Sequence, residues 1–254
     1  MSKGDESQHP SRYRQRRYRQ SAESADFSFE VRVDESDLWI SGLNQDCKPL
    51  VYDRLLHYRN VLEAFLQRCP EWWDSLVPVD VALYPLAPPV ARQMMTASKI
   101  AGVGPMAAVA GTLAEAVGRD LLAFSAELVV ENGGDVFLAG RSEYSLAIFA
   151  GASPLSGCIG LKLAAEKPFC CGVCTSSAKV GHSLSFGRAD AVTIVADNTA
   201  LADAVATAMA NQVQKKTDLA RVIEKALALD GVSGAVAILG DDLAAGGDLK
   251  LVEI

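Results

Sequence analysis

ELVVENGGDVFLAG, residues 127–140, is an apolar run that breaks at Asn132, Gly133, Gly134 and Asp135 and then resumes as a second apolar run. Two short apolar runs around a glycine pair predict two strands, because glycine accepts the positive φ angles that a tight reversal demands. The same glycines leave no side chain at the bend, so another molecule can come close to the backbone there. A plain hairpin turn and a ligand-contacting turn are both open from this stretch alone.

Downstream, CTSSAKVGHSLSFGRADAVTIVADNTALADAVATA, residues 174–208, brings hydroxyls, a histidine and a helical carboxylate into quick succession. Asp203 and Thr207 stand four apart, which on a helix places both side chains on one face, a turn apart. A carboxylate and a hydroxyl so placed supply hard oxygen ligands for Mg2+. The other reading is a helix whose Asp203 serves the first turn and whose Thr207 bonds back to its own chain. His182 lies between Gly181 and Ser183 in a polar stretch of the kind that holds functional groups, either as a general base or as a loop histidine bonded to backbone. His9 and His57, in the arm and within a helix, have no such setting.

Working outward, residues 27–33 alternate apolar and polar, and Leu38, Trp39 and Ile40 follow an acidic turn, which predicts paired strands. Residues 50–69 carry apolar positions at helical spacing up to Pro70. Residues 70–89 read as a proline- and aromatic-rich crossing, and residues 90–101 and 105–122 as helices, the second opening on Pro105. Short strands are expected at 144–149, 158–163, 169–174 and 192–196, then helices at 199–213 and 218–229. Strands 234–239 and 249–254 close the chain around a DDLAAGGD turn. Strands and helices that mix without strict alternation predict an α+β fold, with mixed sheets packed against helices.

Composition bounds the function. The chain has 254 residues, 50% hydrophobic and 22% charged, with a net charge of -7, and no segment is built to span a membrane. Residues 1–24 read as a basic arm, with Lys3, Arg12, Arg14, Arg16, Arg17 and Arg19 against Asp5 and Glu6, ahead of one domain over 25–254. The acidic body would repel a phosphate backbone, so the arm is expected to be solvated and no nucleic acid is expected as a partner. The first residues hold no apolar signal core, so a cytoplasmic location is expected and the six cysteines are read as thiols. Cys171 and Cys174, beside Cys170, have the spacing of half a zinc site or of a redox pair, against the commoner reading of small core thiols. Gly102-Val103-Gly104 imitates a dinucleotide fingerprint, but a helix-like segment precedes it where a strand is needed, and a Rossmann reading is rejected.

The order VAGTLAEAVGRDLL, VVENGGDVFL, CTSSAKVGHS, and AVTIVA running into ADAVATA resembles the motif order of the ApbE-like flavin transferase superfamily, over residues 103–210. The resemblance implies a two-lobed fold, FAD as substrate, Mg2+, and transfer of FMN to a threonine of an acceptor protein. It would put Asn132, Gly133, Gly134 and Asp135 in the nucleotide-binding wall and match Thr175, Ser176 and Ser177 to the family's Thr-Ser-Gly segment. His182 would match the histidine of the catalytic loop, and Asp203 with Thr207 the magnesium ligands. ApbE-like proteins also suggest a homodimer. This chain departs from the pattern after His182, where SLSFGRADAVTI stands in place of the usual Ile-Asp-Pro-x-Thr-Gly segment. Beside a Mg2+-dependent FMN transferase or an FAD pyrophosphatase-like hydrolase, that departure keeps a second expectation open, a binding protein for a nucleotide-like molecule on the same scaffold, with a Cys171/Cys174 redox or metal protein as a third.

Overall fold

The computed structural model describes residues 27–163, 169–177 and 186–254. The expectations that fall on the arm and on His182 lie outside those residues. Among the described residues the fold is α+β in three layers: helices, an eight-stranded sheet, and a three-stranded sheet.

The hairpin of residues 127–140 is β3 (Leu128–Asn132) and β4 (Asp135–Gly140), antiparallel, with Asn132 paired to Asp135. Both strands are apolar on both faces because both faces are covered. Leu128, Val130, Phe137 and Ala139 point into a core shared with helices, while Val129, Val136 and Leu138 pack on the opposite side against the smaller sheet. A strand covered on two sides needs no polar alternation, which is why the sequence reads as nearly unbroken apolar runs.

On one side of this hairpin, β2 (Ser36–Leu43) pairs with β3, and β1 (Phe27–Val33) with β2. On the other side follow β7 (Phe169–Ser176), β8 (Ala191–Ala196), β9 (Val232–Leu239) and β10 (Asp242–Gly247). The second sheet runs β11 (Lys250–Glu253), β6 (Ile159–Leu163), β5 (Tyr144–Ala147). Every described strand pairing is antiparallel, which narrows the sheet expectation.

The helical layer covers one face in two blocks. Helices α1 (Lys48–Arg68) and α4 (Val109–Leu121) pack Val51, Leu55, Ala114, Val117 and Leu121 on the first four strands. Helices α5 (Thr199–Gln212) and α6 (Asp218–Leu227) pack on β7, β8 and β9 through Leu201, Val205, Met209 and Val222. Helix α3 (Pro89–Ala101) lies outside them, with Met94, Met95 and the buried Trp72 in a third cluster. No single helix among the described residues is long and apolar enough to cross a membrane.

Three details correct the sequence reading. Residues 242–247 form β10 and not a turn, because their small side chains fit under Ile223 and Leu227 of α6. The crossing at 70–89 holds a short helix, α2 (Pro70–Trp73), and a 3-10 turn, Val81–Leu83. Pro105 opens a separate 3-10 turn, Pro105–Ala108, ahead of α4. The rejected fingerprint is indeed preceded by α3, and Gly102 at φ 75 is its left-handed cap.

Candidate functional site

The turn between β3 and β4 has φ 73 at Gly133 and φ 108 at Gly134. Positive φ at both central residues is the two-residue hairpin turn whose twist matches its strands. Four contacts lock it in place. Gly134 N–H donates to Glu131 Oε1 at 2.9 Å, and Gly134 O accepts from Thr175 N–H at 3.2 Å. Asn132 Oδ1 accepts from Asp37 N–H at 3.3 Å and its Nδ2 donates to Ala110 O at 3.1 Å. Asn132 therefore joins β2 and the start of α4 to the turn, while the glycines keep their approach open.

Helix α5 arrives at the same place because its N-terminus is fastened twice. Asn198 Oδ1 accepts from Leu201 N–H at 2.9 Å as an N-cap. Glu115, only 1% exposed, accepts from Thr199 N–H at 2.7 Å and from Arg119 Nε at 2.7 Å. A carboxylate at a helix N-terminus is favoured by the helix dipole. Gly111 then lets α4 and α5 close on each other, since a Cβ there would stand 2.5 Å from Thr199 O and 2.9 Å from Asp203 Cβ.

Asp203 is the electrostatic centre. It is 8% exposed, and its Oδ2 accepts from Gly111 N–H at 2.8 Å in the first turn of α4. Burial first, and the charge of Asp135 second, push its carboxyl well above the usual carboxylate range, against the pull of the Gly111 and Ala110 N–H groups. Cys174, opposite Asp135 in the β4–β7 register, has its thiol pushed well up by burial and then by the charges of Asp135 and Asp203. Two buried carboxylates that raise one another's neighbourhood are relieved by a proton or a cation.

The surrounding surface is a cleft of about 1980 Å3 that includes Asn132, Gly133, Gly134, Asp135, Thr175, Ser176, Ser177, Asp203 and Thr207 in its lining. The structure thus brings the glycine turn, the hydroxyl segment and the Asp203–Thr207 pair to one cleft, and leaves Cys171 and Cys174 outside its lining. Thr175 Oγ1 lies 2.9 Å from Thr193 Oγ1, and Thr207 is half-buried on the helix face of Asp203. Two carboxylates and a hydroxyl are hard oxygen donors, the set that suits Mg2+ when water and phosphate oxygens complete its shell. Among the described residues no three His, Cys, Asp or Glu side chains gather into a metal cluster.

The cysteine reading does not survive. Cys171 packs with the core between the sheets and Cys174 with the core under α5, on opposite faces of β7, so they cannot share a metal or a disulfide. Burial first pushes the Cys171 thiol up to about 12, with Cys170 and Asp197 adding to it, which is the inert end of thiol reactivity.

Sequence reasoning missed Glu131 and Asn211. Glu131 is buried on the cleft wall and orders the turn, and Asn211 continues the spacing of Asp203 and Thr207 by one more helical turn into the cleft. Extending that four-residue spacing would have found Asn211.

The antiparallel α+β sandwich is also the fold of ApbE proteins. The flavinyl transferase ApbE of Pseudomonas stutzeri superposes with a TM-score of 0.52 at 14% identity, covering 87% of this chain and 94% of that one. The ApbE protein of Thermotoga maritima does so at 0.54 and 13%, covering 88% and 96%. At those identities the likeness is one of fold. The chain belongs to the family described as AbpE bacteria, whose model matches residues 18–241. Among its relatives, the UPF0280 protein of Methanocella arvoryzae is 40% identical over 80% of this chain and 82% of its own length. That of Methanosphaerula palustris is 44% identical over 75% and 78%.

Proposed function

We propose that this cleft binds a flavin nucleotide, FAD or FMN, together with Mg2+, and that the chain processes FAD by transfer of its FMN part. The observation that carries the reading is Asp203, buried against the charge of Asp135 at the foot of a cleft walled by a glycine turn. Family membership and the ApbE fold support it from a second side. In this reading Gly133 and Gly134 let phosphates approach the backbone, and Thr175, Ser176 and Ser177 offer them hydroxyl donors. Asp203, Asp135 and Thr207 hold Mg2+, which when bound neutralises pyrophosphate charge.

His182, which lies outside the described residues, takes the proton of an acceptor hydroxyl on a partner protein. A new P–O bond forms to that oxygen, the pyrophosphate P–O bond breaks, and AMP leaves. Binding without turnover is the second reading, favoured by the SLSFGRADAVTI sequence that follows His182.

Equilibrium titration with FAD and FMN, with and without Mg2+, followed by product analysis, tests both. Mg2+-dependent FAD binding with release of AMP when a hydroxyl-bearing acceptor protein is present supports processing, and retention of intact FAD in its presence supports the binding reading. No binding of either flavin would remove the flavin proposal altogether.

A further inference from the structure

Phe186 is 61% exposed, yet its backbone is held as firmly as a core residue's. Its N–H donates to Asn211 Oδ1 at 2.9 Å and its carbonyl accepts from Gln214 Nε2 at 2.8 Å. Beyond it, Arg188 N–H donates to Val213 O at 2.7 Å, and Gly187 lies so close to the Ala210 carbonyl that a side chain there would collide with it. The segment is laid flat on the C-terminal end of α5 and both polar groups of Phe186 are fixed by side chains. Its ring is left on the lining of the cleft.

An isolated exposed apolar residue needs no explanation. Here the exposed rings Trp73, Phe149 and Phe186 all border the same cleft, and Phe186 is fixed by the helix that carries Asp203 and Thr207. Asn211 stands eight residues after Asp203 on the same helical face, about 12 Å along the axis at 1.5 Å per residue. The Phe186 side of the cleft is thus set off from the Asp203 corner by roughly two helical turns.

We propose that Phe186 is the stacking wall of the cleft, taking the planar heteroaromatic ring of the nucleotide, and that Asn211 is the positioning residue that presents it. The inference rests on the nucleotide-binding reading above and adds which end of the cleft receives the ring. The ring is isoalloxazine or adenine, and both offer the π-face that such a wall recognises.

The test uses the full chain and its Phe186→Ala, Phe186→Tyr and Asn211→Ala variants, titrated calorimetrically with FMN and separately with AMP in Mg2+. FMN fluorescence is followed alongside. Wild type is expected to quench FMN on binding. Phe186→Ala is expected to weaken one of the two ligands about ten-fold, and Phe186→Tyr to retain both affinity and quenching. Which ligand is weakened tells which ring stacks. Asn211→Ala is expected to lose part of the same affinity and quenching with an unchanged melting temperature, which a purely structural role would not produce. Unchanged affinity of Phe186→Ala for both ligands, with wild type binding normally, overturns this inference alone. Wild type binding neither of these ligands, nor FAD, overturns the nucleotide reading and this inference with it.

Discussion

At Gly111 the site depends on an absence. The α4–α5 contact closes to a distance at which any side chain meets Thr199 O and Asp203 Cβ, and the backbone carbonyl cannot move aside. Gly111→Ala is expected to cost about 2 kcal/mol by overpacking, read as a fall of several degrees in melting temperature. An unchanged melting temperature would show that α5 can slide. Asp203→Asn separates charge from shape, because the amide oxygen can still accept from Gly111 N–H while the charge that burial opposes is gone. Its stability is expected to stay within about 1 kcal/mol of wild type, with any Mg2+ dependence of nucleotide binding lost. Mg2+-dependent binding retained in this variant would take Asp203 out of the cation site. The sequence made Asp203 visible through its spacing to Thr207, but not its partner. Gly111 is 92 residues away, and only tertiary packing brings its N–H to that carboxylate.

Among the elements, α1 and α4 are joined across their exposed side by Tyr58, whose hydroxyl donates to Asp120 Oδ2 at 2.8 Å. Burial first, and then the bond to Asp120, raise the Tyr58 hydroxyl to about 12. A folded-state value above the unfolded value of about 10 gives stability that is fully present below pH 10 and lost as pH rises through 12. Tyr58 is only half-buried and screened by solvent, so Tyr58→Phe is expected to cost about 1 kcal/mol at pH 8. That difference should vanish above pH 12; a gap that persists there would assign it to packing. Helices α1, α5 and α6 could be read from the sequence to within a few residues, α6 from its strong apolar period and α1 with the help of the Pro70 that ends it. Strand β10 could not, since its run of Leu, Ala and Gly has neither the branched side chains nor the alternation of a strand. It pairs because β9 offers an open edge and α6 needs a thin layer beneath it.

For the molecule as a whole, the cleft is assembled from parts that share no local stretch of chain: the β3–β4 turn, the end of β7, the start of α4 and one face of α5. A ligand that touches all of them binds the folded chain and has nothing comparable to hold in the unfolded one, so binding must appear as stability. At a nucleotide concentration one hundred times its dissociation constant the gain is about 2.7 kcal/mol. For a domain of this size that corresponds to a rise in melting temperature of roughly 5–10 °C. FAD or FMN with Mg2+ is expected to produce such a rise, and a chelator to cancel most of it, because Asp135 and Asp203 then face the phosphates with no cation between them. The chelator arm decides between two pictures of the acidic corner. If the shift survives metal removal, the buried carboxylates meet the ligand in protonated form and act as hydrogen-bond donors, and the hard-oxygen cation site is not how this cleft manages its charge.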